Sequence, residues 1–245
     1  MNLERWRPVL LGLLGFFITV SICLLAMFIV NYYGKQNELN TWNHGGKYVK
    51  ECPRLGGFPV LFRDYLPAQY QVAQALVELE QQVNKQIPMG KIWQKWEGQA
   101  TTVFPVVDFL PAKETEYRNG GFCHWTTATL GWMLTDWHNG RPLATKVYIC
   151  TRTIEDAYAN KEKARYWQRL NNKKLEEYWK IVTFGRKNIV KHEGGHALWG
   201  GHPKWGCGLM CSKPRVAHID SHAIAILQKH VYAVCKANNL LNMNR

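Results

Sequence analysis

The longest uninterrupted pattern in the chain is apolar. No charged residue occurs from Pro8 to Gly34, and Val9 to Val30 is almost wholly hydrophobic. A helix of that length reaches roughly 33 Å at 1.5 Å per residue, about the thickness of a bilayer core. Trp6 before the run and Tyr32-Tyr33 after it suit the two membrane interfaces. A cleaved signal peptide has a shorter apolar region, about 7–15 residues, that ends in small side chains, whereas this run ends Ile-Val-Asn-Tyr-Tyr. The pattern predicts an uncleaved membrane anchor over residues 1–34, facing lipid through residues 9–30.

Beyond it the pattern changes period. Residues 35–60 are polar and broken by Gly45-Gly46, Pro53 and Gly56-Gly57, which predicts a linker or stalk. From Leu66 to Ile87, the positions Tyr70, Val72, Ala75, Leu76, Leu79 and Val83 recur every three or four residues, and Pro88 ends the run. That is the period of an amphipathic helix. Thr101 to Leu110 is rich in strand-forming residues, with Pro105 marking it as bulged or peripheral. Phe122 to Trp137 and Pro142 to Thr151 read as two more strands, and Asn139-Gly140 between them as a hairpin turn. Thr153 to Lys180 interleaves charges with Tyr158, Tyr166, Trp167, Leu170, Leu175 and Trp179, which predicts one or two exposed helices with a packed stripe. Phe184 to Leu198 is a further helix, capped by Thr183. A last helix carries Ile224, Ile226, Leu227, Val231 and Val234, capped by Asp220 or Ser221.

Composition bounds the rest. A chain of 245 residues, 47% of them hydrophobic, holds one domain with a sizeable core plus an attachment. The net charge of +13 offers a basic surface to an anionic partner such as a headgroup or a wall polymer. No nucleic-acid motif accompanies it, so no specific nucleic acid is expected. Arg5 and Arg7 precede the apolar run while Lys35, Lys47 and Lys50 follow it, so the positive-inside count is nearly even. Cysteine usage separates the two orientations better. Cys23 lies in the run, and Cys52, Cys123, Cys150, Cys207, Cys211 and Cys235 lie outside it. An even number outside the membrane fits disulfides in an oxidising compartment, hence a single-pass protein with an extracytoplasmic body. Free buried thiols in a cytosolic body are the alternative.

The candidate chemistry lies in Lys191 to Cys211. His192 and His196 are four apart, which on a helix puts both imidazoles on one face, one turn apart. Glu193 follows the first histidine and is placed to take a proton from a water activated at a metal. Gly200-Gly201 ends the helix and turns the chain so that His202 returns as a third ligand. Three neutral imidazoles plus one open position is the catalytic kind of zinc site, one Zn²⁺ per chain. With 9 His in the chain, a random His-Glu-x-x-His is roughly a one-in-sixty event, and the third histidine lowers this to about one in a thousand. Gly194 and Gly195 inside the helix suggest close backbone packing or a strand passing near the metal. His218 and His222 are also four apart but have no neighbouring Glu or third ligand, and read as surface residues or as neighbours of the site.

The spacing His192-Glu193-x-x-His196-x5-His202, followed by Met210, resembles the metzincins, zinc endopeptidases with a methionine turn beneath the metal. The short return to Met210 is similar to the archaemetzincin-like and matrixin-like branches, and 219–227 looks like a turn feeding a final helix. The resemblance covers mainly Phe184 to Leu227. It implies an α+β fold of the zincin type over residues 61–245: a mixed twisted sheet, an active-site helix and a C-terminal helix. It also implies Zn²⁺ on His192, His196 and His202, Glu193 as general base, Met210 as an apolar floor, and a protein or peptide substrate. By the same resemblance, the strand arm around Trp125 to Trp132 would be an edge that takes an extended peptide as an added strand. Two departures stand out. Trp199 occupies the place of the family's glycine, with Gly200 one residue later, so the turn closes differently. Cys207 and Cys211 flank Met210 without the further cysteine pair of archaemetzincins, which leaves a second zinc unsupported. A zinc hydrolase of a non-protein polymer and an inactive, metal-stabilised binding module are the rival readings.

Overall fold

The computed structural model describes residues 7–41, 58–61, 65–86, 93–95, 106–118, 120–123, 129–138, 141–164, 172–199, 201–214, 216–227 and 229. The chain divides into two compact units, Met1–Trp42 and Asn43–Arg245. The first is one continuous helix, α1 (Arg7–Thr41), of 35 residues. Within it Leu11–Asn40 is long and apolar enough to cross a membrane. Phe16, Phe17 and Phe28 are 64%, 64% and 69% exposed, a surface that is stable against lipid and unfavourable against water. The helix continues from Lys35 to Thr41, into the stretch predicted as a linker. Gly34 does not stop it, because a glycine inside a long helix costs only about 1 kcal/mol.

The second unit is mixed α/β. Its strands are β1 (Phe58–Leu61), β2 (Trp93–Lys95), β3 (Val106–Pro111), β4 (Gly131–His138) and β5 (Arg141–Ile149). They form one sheet in the order β2-β1-β3-β5-β4. β1 runs parallel to β2 and β3, β3 parallel to β5, and β4 antiparallel to β5. The antiparallel pairing expected of the predicted hairpin is present, with His138 opposite Arg141, while 139–140 lie outside the described residues. Three strand expectations need correction. The strand expected from Phe122 to Trp137 starts only at Gly131, and Phe122 and Cys123 lie in a turn. β1 begins at Phe58, inside the predicted linker 35–60, so the sheet starts before residue 61. β3 is not peripheral: it lies between β1 and β5, with Pro105 just before its first residue. A proline there costs no ladder hydrogen bond.

The helices of this unit are α2 (Val72–Gln86), α3 (Thr151–Ala164), α4 (Asn172–Phe184) and α5 (Arg186–Trp199). The predicted first helix is shorter than Leu66 to Ile87. A 3-10 turn (Ala68–Tyr70) precedes it, and Gln71 adopts φ 50 between the two. The charged stretch forms α3 and α4 as expected. Thr183 lies inside α4 and caps nothing; the break before α5 is Gly185, at φ 88, a conformation that favours glycine.

The core lies between α2, α5 and the sheet. Ala75, Leu76, Leu79 and Val83 of α2, Ile189 and Val190 of α5, Val107 and Phe109 of β3, and Val147 and Ile149 of β5 are all buried. Each large side chain among them contributes about 1.5–3 kcal/mol by leaving water. Gly194 sets how closely α5 approaches. A Cβ there would stand 3.0 Å from Leu76 Cδ2 and 3.4 Å from Leu79 Cδ2, with Phe109 Cζ at 3.9 Å. The close packing predicted from the paired glycines is therefore made by Gly194 against α2 and β3. A disulfide joins Cys123 to Cys150, with Cα atoms 5.4 Å apart. It closes a loop of sequence separation 27, worth between about 3 and 4 kcal/mol of chain entropy.

The start of α5 is bolted to α3 by a charged cluster. Glu155 accepts hydrogen bonds from Arg186 Nε at 2.8 Å and from Tyr70 Oη at 2.8 Å. The Arg186 guanidinium also lies over the Tyr158 ring, 3.5 Å from its centroid. The Arg186 hydrogen bond holds the Glu155 carboxyl below its ordinary pKa. A carboxylate whose folded pKa is depressed stabilises the fold above its unfolded value, about 4.3, and loses that contribution as pH falls through the folded value. Glu155→Gln is expected to lower stability by about 1 kcal/mol at pH 7, a modest figure because the carboxylate is partly exposed. The deficit should shrink as pH falls below about 4.3 and be gone only below the lowered folded pKa of Glu155. Urea unfolding of both proteins at pH 7 and pH 3.5 checks this; a deficit equal at both pH values would remove the ion pair as its cause.

Candidate metal centre

Helix α5 presents His192 and His196 one turn apart. The chain leaves the helix after Trp199 and returns His202 to the same point. The three Nε2 atoms form a triangle: His192 to His196 is 3.0 Å, His196 to His202 3.1 Å and His202 to His192 3.2 Å. A tetrahedral metal with nitrogen ligands at about 2.0–2.1 Å holds them about 3.3 Å apart. The donor set therefore fits a small divalent ion such as zinc. All three predicted ligands come together, and Trp199 in the glycine position does not prevent it, since α5 simply runs on through that residue. His192 is buried and His202 exposed, so the centre is closed on the helix side and open on the other.

The tautomer of His192 is set from behind. Its Nδ1 lies 2.6 Å from the Leu209 carbonyl oxygen. A carbonyl only accepts, so Nδ1 carries the proton and Nε2 offers its lone pair to the triangle. Burial pushes the His192 imidazole down to about 4, and also lowers His196 and His202. All three are neutral at physiological pH, the form that ligates metal.

Leu209 sits in a return loop with several constraints. Cys207 and Cys211 are joined by a disulfide across a sequence separation of 4. Leu209 N donates to His218 O at 2.7 Å. Gly208, at φ 50, lies so near the crossing strand that a Cβ would be 2.6 Å from His218 O and 2.7 Å from Asp220 N. Gln82 of α2 accepts from Ile219 N at 3.0 Å. Met210 follows Leu209 and is fully buried. The next helix starts at Ser221, with Asp220 Oδ1 accepting from His222 N at 2.8 Å, the cap predicted from sequence. His222 is buried rather than on the surface, while His218 is exposed. Neither belongs to the triad.

Glu193 is 4% exposed. Among the described residues nothing hydrogen-bonds its Oε2. Burial raises its carboxyl to about 8, an effect that a cation on the adjacent histidines would oppose. The carboxylate lies against β4: a Cβ on Gly131 would meet Glu193 Cδ at 2.6 Å. Beside these residues, Lys191 is 3% exposed and donates to Glu78 at 3.3 Å and to Ala217 O at 3.0 Å. Glu78, Leu209 and Gly131 were not predicted. Their parts depend on contacts across the fold, and no local spacing announces them. Of the predicted edge arm, 125–128 fall outside the described residues, while Gly131 and Trp132 lie on β4, the end strand of the sheet. Comparison with protein-family models, with curated proteins and with solved structures found no match.

The full-length protein in detergent is expected to carry one zinc per chain and to unfold several degrees lower after chelation. His196→Ala should weaken zinc binding by more than about 100-fold. His222→Ala, buried but outside the triad, should leave the zinc content unchanged. Elemental analysis with a competition titration measures both; equal zinc in the wild type and His196→Ala would eliminate the centre.

Proposed function

We propose that the chain is a membrane-anchored zinc endopeptidase of the metzincin type, with its body on the extracytoplasmic side. The observation that carries this reading is the convergence of three imidazole nitrogens within 3.2 Å of one another beside a buried carboxylate whose Oε2 has no hydrogen-bond partner among the described residues. A purely structural site needs no such carboxylate and is closed, whereas His202 is exposed.

His192, His196 and His202 hold the ion as neutral imidazoles. Bound zinc supplies Lewis acidity, polarising the scissile carbonyl and making a water nucleophilic near neutral pH. Glu193 accepts the proton of the attacking water and passes it to the leaving amine. Leu209 keeps the His192 ring in the ligating tautomer. Met210 contributes the apolar floor, which restricts the rings without binding anything. An extended peptide is accepted along β4, which among the described residues pairs with β5 on one side only. Its backbone groups on the other side recognise a main chain whatever its side chains. The disulfides Cys123–Cys150 and Cys207–Cys211 favour an oxidising compartment, and α1 supplies the anchor. The positive charge of the chain, +13, favours an anionic surface nearby.

Glu193→Ala and Glu193→Gln are expected to retain one zinc per chain and to lose peptide cleavage by at least about 100-fold. The assay is casein-type cleavage by the full chain in detergent. Retained turnover would remove Glu193 from the chemistry. Zinc without cleavage in every protein, together with release of fragments from an anionic wall polymer, would replace the peptide substrate by that polymer.

A further inference from the structure

We propose that Gly131 is a positioning residue for the Glu193 carboxylate: the space a side chain on Gly131 would fill is the space in which that carboxylate lies. Its role in turnover rests on the proposed reading of Glu193 as proton acceptor; its role in packing does not.

The backbone at Gly131 makes no demand for glycine. It is not among the residues with positive φ. It lies in a regular ladder, opposite Ile149, and the pairing continues with Cys150 N donating to Leu130 O at 2.8 Å. In an ordinary strand position glycine is unfavourable, because it surrenders more chain entropy than alanine and packs nothing. A steric reason must outweigh this, and the contacts supply one. The three heavy atoms nearest to an added Cβ all belong to one side chain: Glu193 Cδ at 2.6 Å, Cγ at 2.7 Å and Oε1 at 2.8 Å. Alanine could enter only by moving the carboxylate.

The carboxylate has little room to move. Glu193 is 4% exposed, so no solvent-filled space receives it. Among the described residues no hydrogen bond fixes Oε2, so the packing at Gly131 bears directly on where the carboxylate sits. The next residue, Gly194, is held against Leu76 and Leu79, which stops α5 from backing away. The flat backbone of β4 is thus the wall on which the general base rests. A displacement of about 1 Å from reacting geometry is enough to reduce turnover about 100-fold.

The test is a double-mutant cycle on the full chain in detergent: wild type, Gly131→Ala, Glu193→Ala and the double variant. Thermal unfolding, zinc content and cleavage kinetics are read for each. Gly131→Ala is expected to lower Tm by about 2–4 °C in the wild-type background and by less than about 1 °C when residue 193 is truncated, because the methyl group then has room. Zinc should stay at one per chain, and kcat should fall about 100-fold with KM unchanged. If Gly131→Ala fails to fold, recovery of a folded double variant is the same coupling in stronger form and supports the proposal. Equal Tm shifts in both backgrounds, a double variant that also fails to fold, or an unchanged kcat in Gly131→Ala would overturn it. A wild type with bound zinc and no cleavage would remove the peptidase reading, and the Tm cycle would still decide whether Gly131 seats the carboxylate.

Discussion

The organisation of this protein follows from the burial of three consecutive polar side chains. Lys191, His192 and Glu193 are 3%, 8% and 4% exposed. Removing any one of them from water without a partner would cost several kcal/mol. Successive helix residues point about 100° apart, so no single neighbour can serve all three. The fold answers with three different elements. Helix α2 gives Lys191 the Glu78 carboxylate. The return loop gives His192 the Leu209 carbonyl. Strand β4 gives Glu193 the space of a missing side chain. Helix α5 is thus enclosed by the elements that these polar residues contact.

Glycine recurs where these elements touch. Gly194 admits α2, Gly131 admits the Glu193 side chain, and Gly208 admits the segment 218–220. At Gly131 and Gly208 the approach is closer than a Cβ allows, at Gly194 it leaves one only a tight fit, and only at Gly208 does the backbone angle also call for glycine. The shared purpose is short distances around a buried site. A loosely packed helix would leave the imidazoles free to turn, and a metal centre needs its ligands fixed to within a fraction of an ångström before the ion arrives.

What the sequence made legible was local. The histidine spacing, the Asp220 cap and the strand pairing on either side of Asn139-Gly140 each depend on a few neighbouring residues, and each is present. β1 was hidden because Phe58–Leu61 is only four residues long and follows Gly56-Gly57, so punctuation overwhelmed periodicity. β3 looked peripheral because Pro105 adjoins it, although a proline ahead of a strand disturbs nothing inside. Thr183 had the composition of a cap, but the left-handed Gly185 took the boundary. Gly131 carried no signal at all. Its meaning is a contact with Glu193, and a pairing that distant in the chain leaves no trace in the pattern of a single sequence.

The disulfides differ in what they do, and the difference bears on which side of a membrane the site can work. Cys123–Cys150 closes a long loop, and its contribution is chiefly to overall stability. Cys207–Cys211 spans a separation of only 4, so its loop-closure contribution is smaller, about 2 kcal/mol. Its position gives it another effect. It closes a ring around Gly208, Leu209 and Met210, and Leu209 is the residue whose carbonyl fixes the His192 tautomer. The same ring holds Met210 buried. Constraining the loop in this way keeps one imidazole lone pair aimed at the other two. In a reducing compartment both thiols would be free, and two soft sulfur donors would stand a few residues from the histidines, able to compete for the same ion. The disulfide in this loop therefore fits an oxidising environment. An apolar α1 that holds the body on the extracytoplasmic face of a membrane would provide it.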